Sequence, residues 1–177
     1  MTLLARVAAV LQEAGVSHAL IGAGALTVHG VNRATHDLDL LVVDPSCLRS
    51  DFWTELESQE VPVEVRKGDL TDPLAGVVRC RFPGEVPVDV VVGKFTWQRK
   101  ILDRAVVRDT QEAAHIPVVR AADLILLKLY AGGAQDGWDV QQLLEGEDQA
   151  ALIAEVEQLL PELPSRAVKL WRRVLEG

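Results

Sequence analysis

Two aspartates separated by one leucine, Asp37-Leu38-Asp39, open an apolar run through Leu40, Leu41, Val42 and Val43 that stops at Asp44-Pro45. The run predicts a central strand over Asp37 to Val43, since proline supplies no ladder donor and closes it. Side chains two apart on a strand share a face, so both carboxylates project together. Carboxylates held that close repel each other. A divalent cation between them removes the conflict, and Mg²⁺ in particular shares one or two carboxylates with waters and substrate phosphates. An Asp-x-Asp pair alone is equally compatible with a strand cap at Asp37 and an ion pair from Asp39 to an arginine such as Arg33. The surrounding segments decide its meaning.

A third acid, Asp89, stands inside Val86-Pro87-Val88-Asp89-Val90-Val91-Val92. The β-branched content of this segment predicts a strand, and an acid within it is costly unless paired or metal-bound. Were this strand to lie beside the first, three acids would converge, enough to hold two metals. Ahead of the pair, Ser17 to Ile21 reads as a short buried strand. It leads through Gly22-Ala23-Gly24-Ala25 into a short helix over Ala23 to His29, broken by Gly30. A small-residue turn at a helix start offers backbone N–H groups to phosphate.

The rest of the chain supplies the frame. Leu4, Val7, Ala8, Leu11 and Ala14 recur at helical spacing up to Gly15, predicting an opening amphipathic helix. Leu48 to Ser58 reads as helical, and strands are expected over Val61 to Arg66 and Gly76 to Arg81. Beyond Gly93 the pattern is helical over Trp97 to Ala105, Ala121 to Ala131, Gln135 to Leu144, Ala150 to Leu160 and Ser165 to Leu175, with a strand near Ile116 to Val119. Strands in the first half and helices in the second predict an α/β (α+β) fold, a mixed, partly antiparallel sheet flanked by helices with a helical C-terminal portion. The expected division is a sheet domain over 1–120 and a helical portion over 121–177. The acidic turn Glu145-Gly146-Glu147-Asp148 is a weaker candidate boundary.

Charge narrows the choice of partners. The formal net charge is -8, from 26 acidic and 18 basic side chains, which argues against broad electrostatic capture of nucleic acid. The sign reverses near the end, where Arg166, Lys169, Arg172 and Arg173 face Glu176 alone, a pattern read first as a solvated helix face. Cys47 and Cys80 have no metal-ligand spacing. The first residues lack the features of a signal peptide, and no apolar stretch approaches the roughly 20 residues of a membrane span. A cytoplasmic protein with no membrane partner is expected.

With its spacing in place, the segment His18-Ala19-Leu20-Ile21-Gly22-Ala23-Gly24-Ala25-Leu26, Gly30, Arg33-Ala34-Thr35, Asp37-Leu38-Asp39-Leu40-Leu41-Val42 resembles the minimal nucleotidyltransferases of prokaryotes. It is most similar to the branch containing AbiEii-type toxins of abortive-infection and type IV toxin–antitoxin systems. Val88-Asp89-Val90 matches the strand of that family's third acid. Ala122-Asp123-Leu124-Ile125-Leu126-Leu127-Lys128-Leu129, then Gln135-Asp136 and Asp139, matches its later helical motif. The likeness spans roughly residues 16 to 144.

The resemblance implies a nucleotidyltransferase fold and transfer of a nucleoside monophosphate from an NTP such as ATP to a hydroxyl. Asp37, Asp39 and Asp89 would be the catalytic and metal residues for Mg²⁺ or Mn²⁺, with Asp89 as ligand or general base. Gly22, Ala23, Arg33 and Lys128 would bind the nucleotide, and Asp136 would orient Lys128 or begin the next helix. RNA, a protein and a small molecule stay open as acceptor, and a cognate antitoxin as partner. Ala23 departs from the family's second glycine or serine, and the arginine common near Gly133 is missing. The alternative is a catalytically silent relative serving as a nucleotide-binding protein, antitoxin or adaptor.

Other readings fail on particular residues. Gly22-x-Gly24 lacks the third glycine of a dinucleotide fingerprint, Thr27 standing there. A phosphatase-type Asp-x-Asp-x-Thr fails at Leu41, and Asp37 comes too early for a glycosyltransferase. His29, His36 and His115 have no coherent ligand spacing, and Trp53, Trp97, Trp138 and Trp171 read as packing residues.

Overall fold

A computed structural model describes residues 1–34, 36–146 and 148–176. Thr35 of the Arg33-Ala34-Thr35 motif, Glu147 of the acidic turn and the final residue of the 121–177 portion lie outside them. The chain groups into two compact units, one of residues 1–24 and 34–119, the other of residues 25–33 and 120–177.

The first unit is built on a seven-stranded mixed sheet. Its strands are β1 (His18–Ile21), β2 (Leu38–Val42), β3 (Val63–Lys67), β4 (Gly76–Cys80), β5 (Val88–Val92), β6 (Val106–Arg108) and β7 (Ile116–Val118), in the order β3-β4-β5-β2-β1-β7-β6. β2 runs parallel to β5 and antiparallel to β1, while β4 is antiparallel to both β3 and β5. β7 is parallel to β1 and antiparallel to β6. Leu38, Leu40 and Val42 of β2 and Val88, Val90 and Val92 of β5 are all buried, and their period-2 spacing puts them on one face. Helix α1 (Leu3–Glu13) buries Leu3, Leu4, Val7, Val10 and Leu11 and contacts β1 and β5. The alternate positions, Asp39 and Asp89 among them, belong to the opposite face.

Helix α2 (Gly22–Val28) follows β1 directly. β2 begins at Leu38, so Asp37 lies in the bend before the strand and not within it. The expected helix over Leu48 to Ser58 is two 3-10 turns, Pro45–Leu48 and Ser50–Trp53, followed by the short α3 (Thr54–Ser58). The cause is local: the Asp44 carboxylate accepts from the Ser46 N–H at 2.9 Å, and Arg49 between the turns is extended, at φ −98° and ψ 133°. After α4 (Thr96–Asp103) comes β6, which the sequence pattern missed. It has three residues, all exposed, and so no burial alternation to read.

The second unit contains α5 (Ala121–Ala131), α6 (Asp136–Leu144), α7 (Gln149–Leu159) and α8 (Ser165–Glu176). Helix α5 buries seven of its eleven residues, which makes it the centre of this group. It ends at Gly132, whose φ of 64° is the left-handed cap that glycine adopts without strain. α8 buries Ala167, Trp171 and Val174 and leaves Arg166, Lys169, Arg172 and Arg173 exposed. Trp53 and Trp171 are fully buried and Trp97 nearly so, whereas Trp138 on α6 is half exposed and is not a core residue. No helix among the described residues is long and apolar enough to cross a membrane.

Leu40 is fully buried at the centre of the sheet. Leu40→Ala is expected to lower stability by about 2–5 kcal/mol, read as a reduced urea midpoint at unchanged m-value.

Candidate active site

The strand register sets the arrangement of the acids. Ile21 of β1 pairs with Asp39 of β2, Asp39 pairs with Asp89 of the parallel β5, and Asp89 pairs with Arg79 of β4. Asp39 and Asp89 therefore stand side by side on one face, one strand spacing of about 4.8 Å apart at the backbone. Asp37, two residues before Asp39, is exposed, Asp39 is half-buried and Asp89 is buried.

Gly22 sits against this row. Its φ is +61°, and a Cβ on it would lie 2.2 Å from Asp39 Oδ2. The small-residue turn thus presses its backbone onto the second carboxylate, and both the close approach and the positive φ require glycine. Ala23 follows as the second residue of α2 and is half-buried.

Arg79 is a site residue the sequence did not reveal. Its guanidinium donates from Nε and Nη2 to Asp89 Oδ2, both at 3.1 Å, and from Nε to Oδ1 at 3.3 Å. Two like charges opposed in register would otherwise destabilise the sheet, and the fork-shaped cation at the next strand relieves that. The alternation of β4, buried at Gly76, Val78 and Cys80, puts Val77 and Arg79 on the face of the acids. Such alternation is legible in sequence. The β4–β5 register that brings Arg79 opposite Asp89 is not.

In the second unit Asp139 is the hub. It is fully buried, accepts from Lys128 Nζ at 2.6 Å and forms an ion pair with Arg33. Lys128 also reaches Asp136 Oδ1 at 3.0 Å, and Asp136 Oδ2 accepts from the Gly133 N–H at 2.7 Å. Asp136 thus holds Lys128 and opens α6 at once. Lys128 keeps only 11% of its side chain exposed, so it is a fixed, part-buried cation and not a snorkelling surface lysine. Arg33 donates to Asp139 and Gln135.

The donor set suits a hard divalent cation. The Asp39 carboxylate lies against Gly22 and Asp37 stands two residues earlier in an exposed bend, carboxylate oxygens being the donor type Mg²⁺ takes, with few protein ligands needed when phosphates complete its shell. Among the described residues no group of three or more His, Cys, Asp or Glu side chains is arranged to hold a metal. Asp89 is directed to Arg79 instead. The cysteines offer no competing chemistry: burial pushes both the Cys47 and the Cys80 thiols up to about 12, so neither is a thiolate nucleophile near neutrality.

Residues 1–160 match the family described as "Nucleotidyl transferase of unknown function (DUF2204)". The chain belongs to that family. Its fold is the nucleotidyltransferase fold, as likeness to two solved structures shows. The solution structure of the antibiotic-resistance factor ANT(2″)-Ia aligns with a TM-score of 0.54 at 13% identity, over 97% of this chain and 95% of that one. The crystal structure of ANT(2″)-Ia in complex with adenylyl-2″-tobramycin aligns with a TM-score of 0.53 at 11% identity, over 88% and 93%. No curated protein matches the sequence significantly.

Two substitutions test the geometry in this family member. Asp139→Asn removes the counter-charge of two cations, one of them part-buried, and is expected to cost about 3–5 kcal/mol by denaturant unfolding. Gly22→Ala is expected to displace the Asp39 carboxylate and to cost more than the ~1 kcal/mol of an ordinary positive-φ substitution, read as a fall in melting temperature.

Proposed function

We propose that the protein is a Mg²⁺-dependent nucleotidyltransferase that moves a nucleoside monophosphate from an NTP to a hydroxyl. The observation that carries this reading is the in-register pair of Asp39 and Asp89, with Gly22 packed against the Asp39 carboxylate and Asp37 just ahead of the strand. Asp37 and Asp39 would hold the metal, which when bound neutralises phosphate charge and polarises the α-phosphoryl group. The backbone of Gly22 and Ala23 at the start of α2 receives phosphate oxygens.

By the resemblance of their motifs, Lys128 and Arg33 would contribute positive charge toward the triphosphate, and within the second unit Asp139 and Asp136 hold Lys128 while Asp139 also holds Arg33. Pre-oriented charge needs no reorganisation at the moment of reaction, which is where catalysis of this kind gains most. Asp89, anchored through Oδ2 to Arg79, keeps Oδ1 only weakly engaged. That oxygen is suited to accept the proton of the acceptor hydroxyl. The hydroxyl oxygen then bonds to the α-phosphorus, the bond to the bridging oxygen breaks, and pyrophosphate leaves with the electron pair.

Membership of a toxin–antitoxin pair rests on the likeness of the His18–Val42 segment, and of the later motifs to about residue 144, to AbiEii-type toxins, which would make a cognate antitoxin the protein partner. The ANT(2″)-Ia complex holds an adenylylated antibiotic, so small-molecule acceptors stand beside RNA and protein.

Incubation with each α-labelled NTP, Mg²⁺ and a cell extract is expected to place label in one acceptor fraction. Asp39→Ala is expected to reduce transfer at least 100-fold, the scale of a lost charge-stabilising group, and chelation of Mg²⁺ to abolish it. Transfer that survives both would remove the proposal.

A further inference from the structure

The face that carries the acids continues past them into a cleft. Across the sheet the register runs Ile21, Asp39, Asp89, Arg79, Glu64, and the next row on that face runs Ala19, Leu41, Val91, Val77, Arg66. The Gly22 turn lies at the β1 end of the row. At the β3–β4 end a cleft of about 390 Å³ opens, with Val77 and Val91 in its lining and Arg66, Lys67, Arg79 and Asp89 around it. The acids stand between the two.

The charges in this cleft differ from those of the chain. Three cations and two carboxylates, Asp89 and Asp72, line it, on a protein whose net charge is -8. Both carboxylates are engaged. Asp89 is held by Arg79, and Asp72 Oδ2 accepts the Asp69 N–H at 2.7 Å within its own loop. Arg66 donates only Nε to Glu64, at 2.7 Å, in a pair that is about half exposed on each side, which solvent screens and a stronger anion displaces. Arg66 lies two strands over from Asp89 and two residues along, about 12 Å at the backbone. A molecule whose hydroxyl sits at Asp89 can therefore rest an anionic group among Arg66, Lys67 and Arg79.

We propose that this cleft is the acceptor subsite and that it selects a hydroxyl acceptor carrying a phosphate group. The assignment rests on the nucleotidyltransferase reading and adds to it the chemical class of the acceptor. The apolar floor of Val77 and Val91 receives the uncharged part of the acceptor. Arg66 and Lys67 bind its phosphate, and Arg79 contributes charge while holding Asp89 toward the reacting hydroxyl. A polycationic acceptor would meet three like charges here.

The test is calorimetric titration of the full chain, with Mg²⁺ and a non-hydrolysable NTP analogue present throughout so that the triphosphate site is filled. The probes are ribose 5-phosphate, a short oligoribonucleotide with a free 3′ hydroxyl, ribose, and a polycationic amino sugar. At least one phosphate-bearing probe is expected to bind ten-fold or more tighter than ribose. The oligoribonucleotide binding tighter would identify the phosphate as a nucleic-acid diester, and the sugar phosphate binding tighter would identify it as a small ester. Arg66→Glu combined with Lys67→Glu, both on an exposed strand end, is expected to abolish that preference while the analogue's affinity stays within two-fold. Equal binding of ribose and both phosphate-bearing probes, preference for the amino sugar, or an unchanged preference in the double variant would overturn the assignment. Failure of the wild-type chain to bind the analogue at all would instead overturn the nucleotidyltransferase reading on which the assignment stands.

Discussion

Asp39 and Asp89 are direct neighbours in a parallel pair of strands, and everything near them answers the repulsion that this creates. At roughly one strand spacing two unit charges repel by several kcal/mol at the effective dielectric of a protein surface. A sheet does not keep such a pair at its centre without cations. One is in the chain: Arg79, on the next strand, binds the Asp89 carboxylate through two nitrogens. The other side of the row is different in kind. Asp39 packs on the backbone of Gly22, and Asp37, two residues earlier, is exposed; these are the two acids proposed above to hold the metal.

The rest of the first unit can be read as support for that row. Buried valines and leucines on the opposite face fix the registers of β2 and β5, because a slip by one residue would turn every core side chain outward. The positive φ of Gly22 brings the small-residue turn onto Asp39. The second unit solves a matching problem for cations. A fully buried Asp139 binds Lys128 and Arg33, so two long side chains that would otherwise be mobile are held in one arrangement within that unit.

Much of this was legible in the sequence, for identifiable reasons. The apolar runs at Leu40 to Val43 and Val88 to Val92 signal central strands by composition, and the acids Asp37 and Asp39 ahead of the first and Asp89 inside the second mark them out. Gly22 is legible because a small-residue turn between strand and helix has few other uses. Arg79 was not, since pairing with Asp89 depends on the antiparallel register of β4 and β5, which no local pattern encodes. Asp139 was visible as part of a motif, but its burial and its bond to Arg33, 106 residues earlier, follow only from tertiary packing. The 3-10 turns over Pro45–Leu48 and Ser50–Trp53 broke an expected helix because Asp44 and Arg49 make local commitments that helical periodicity does not show.

The central claim is that the carboxylates of Asp37 and Asp39 are the seat of a divalent metal carrying a nucleoside triphosphate. Crystals grown with Mn²⁺ and a non-hydrolysable NTP analogue test it most directly, because the anomalous signal of manganese locates the ion without reference to activity. The account predicts one anomalous peak within about 2.0–2.3 Å of oxygens of both aspartates, the range of Mg²⁺-like coordination, with the analogue's phosphates beside the Gly22 turn. A peak elsewhere, or an analogue bound away from Gly22 with no metal at the pair, would contradict it.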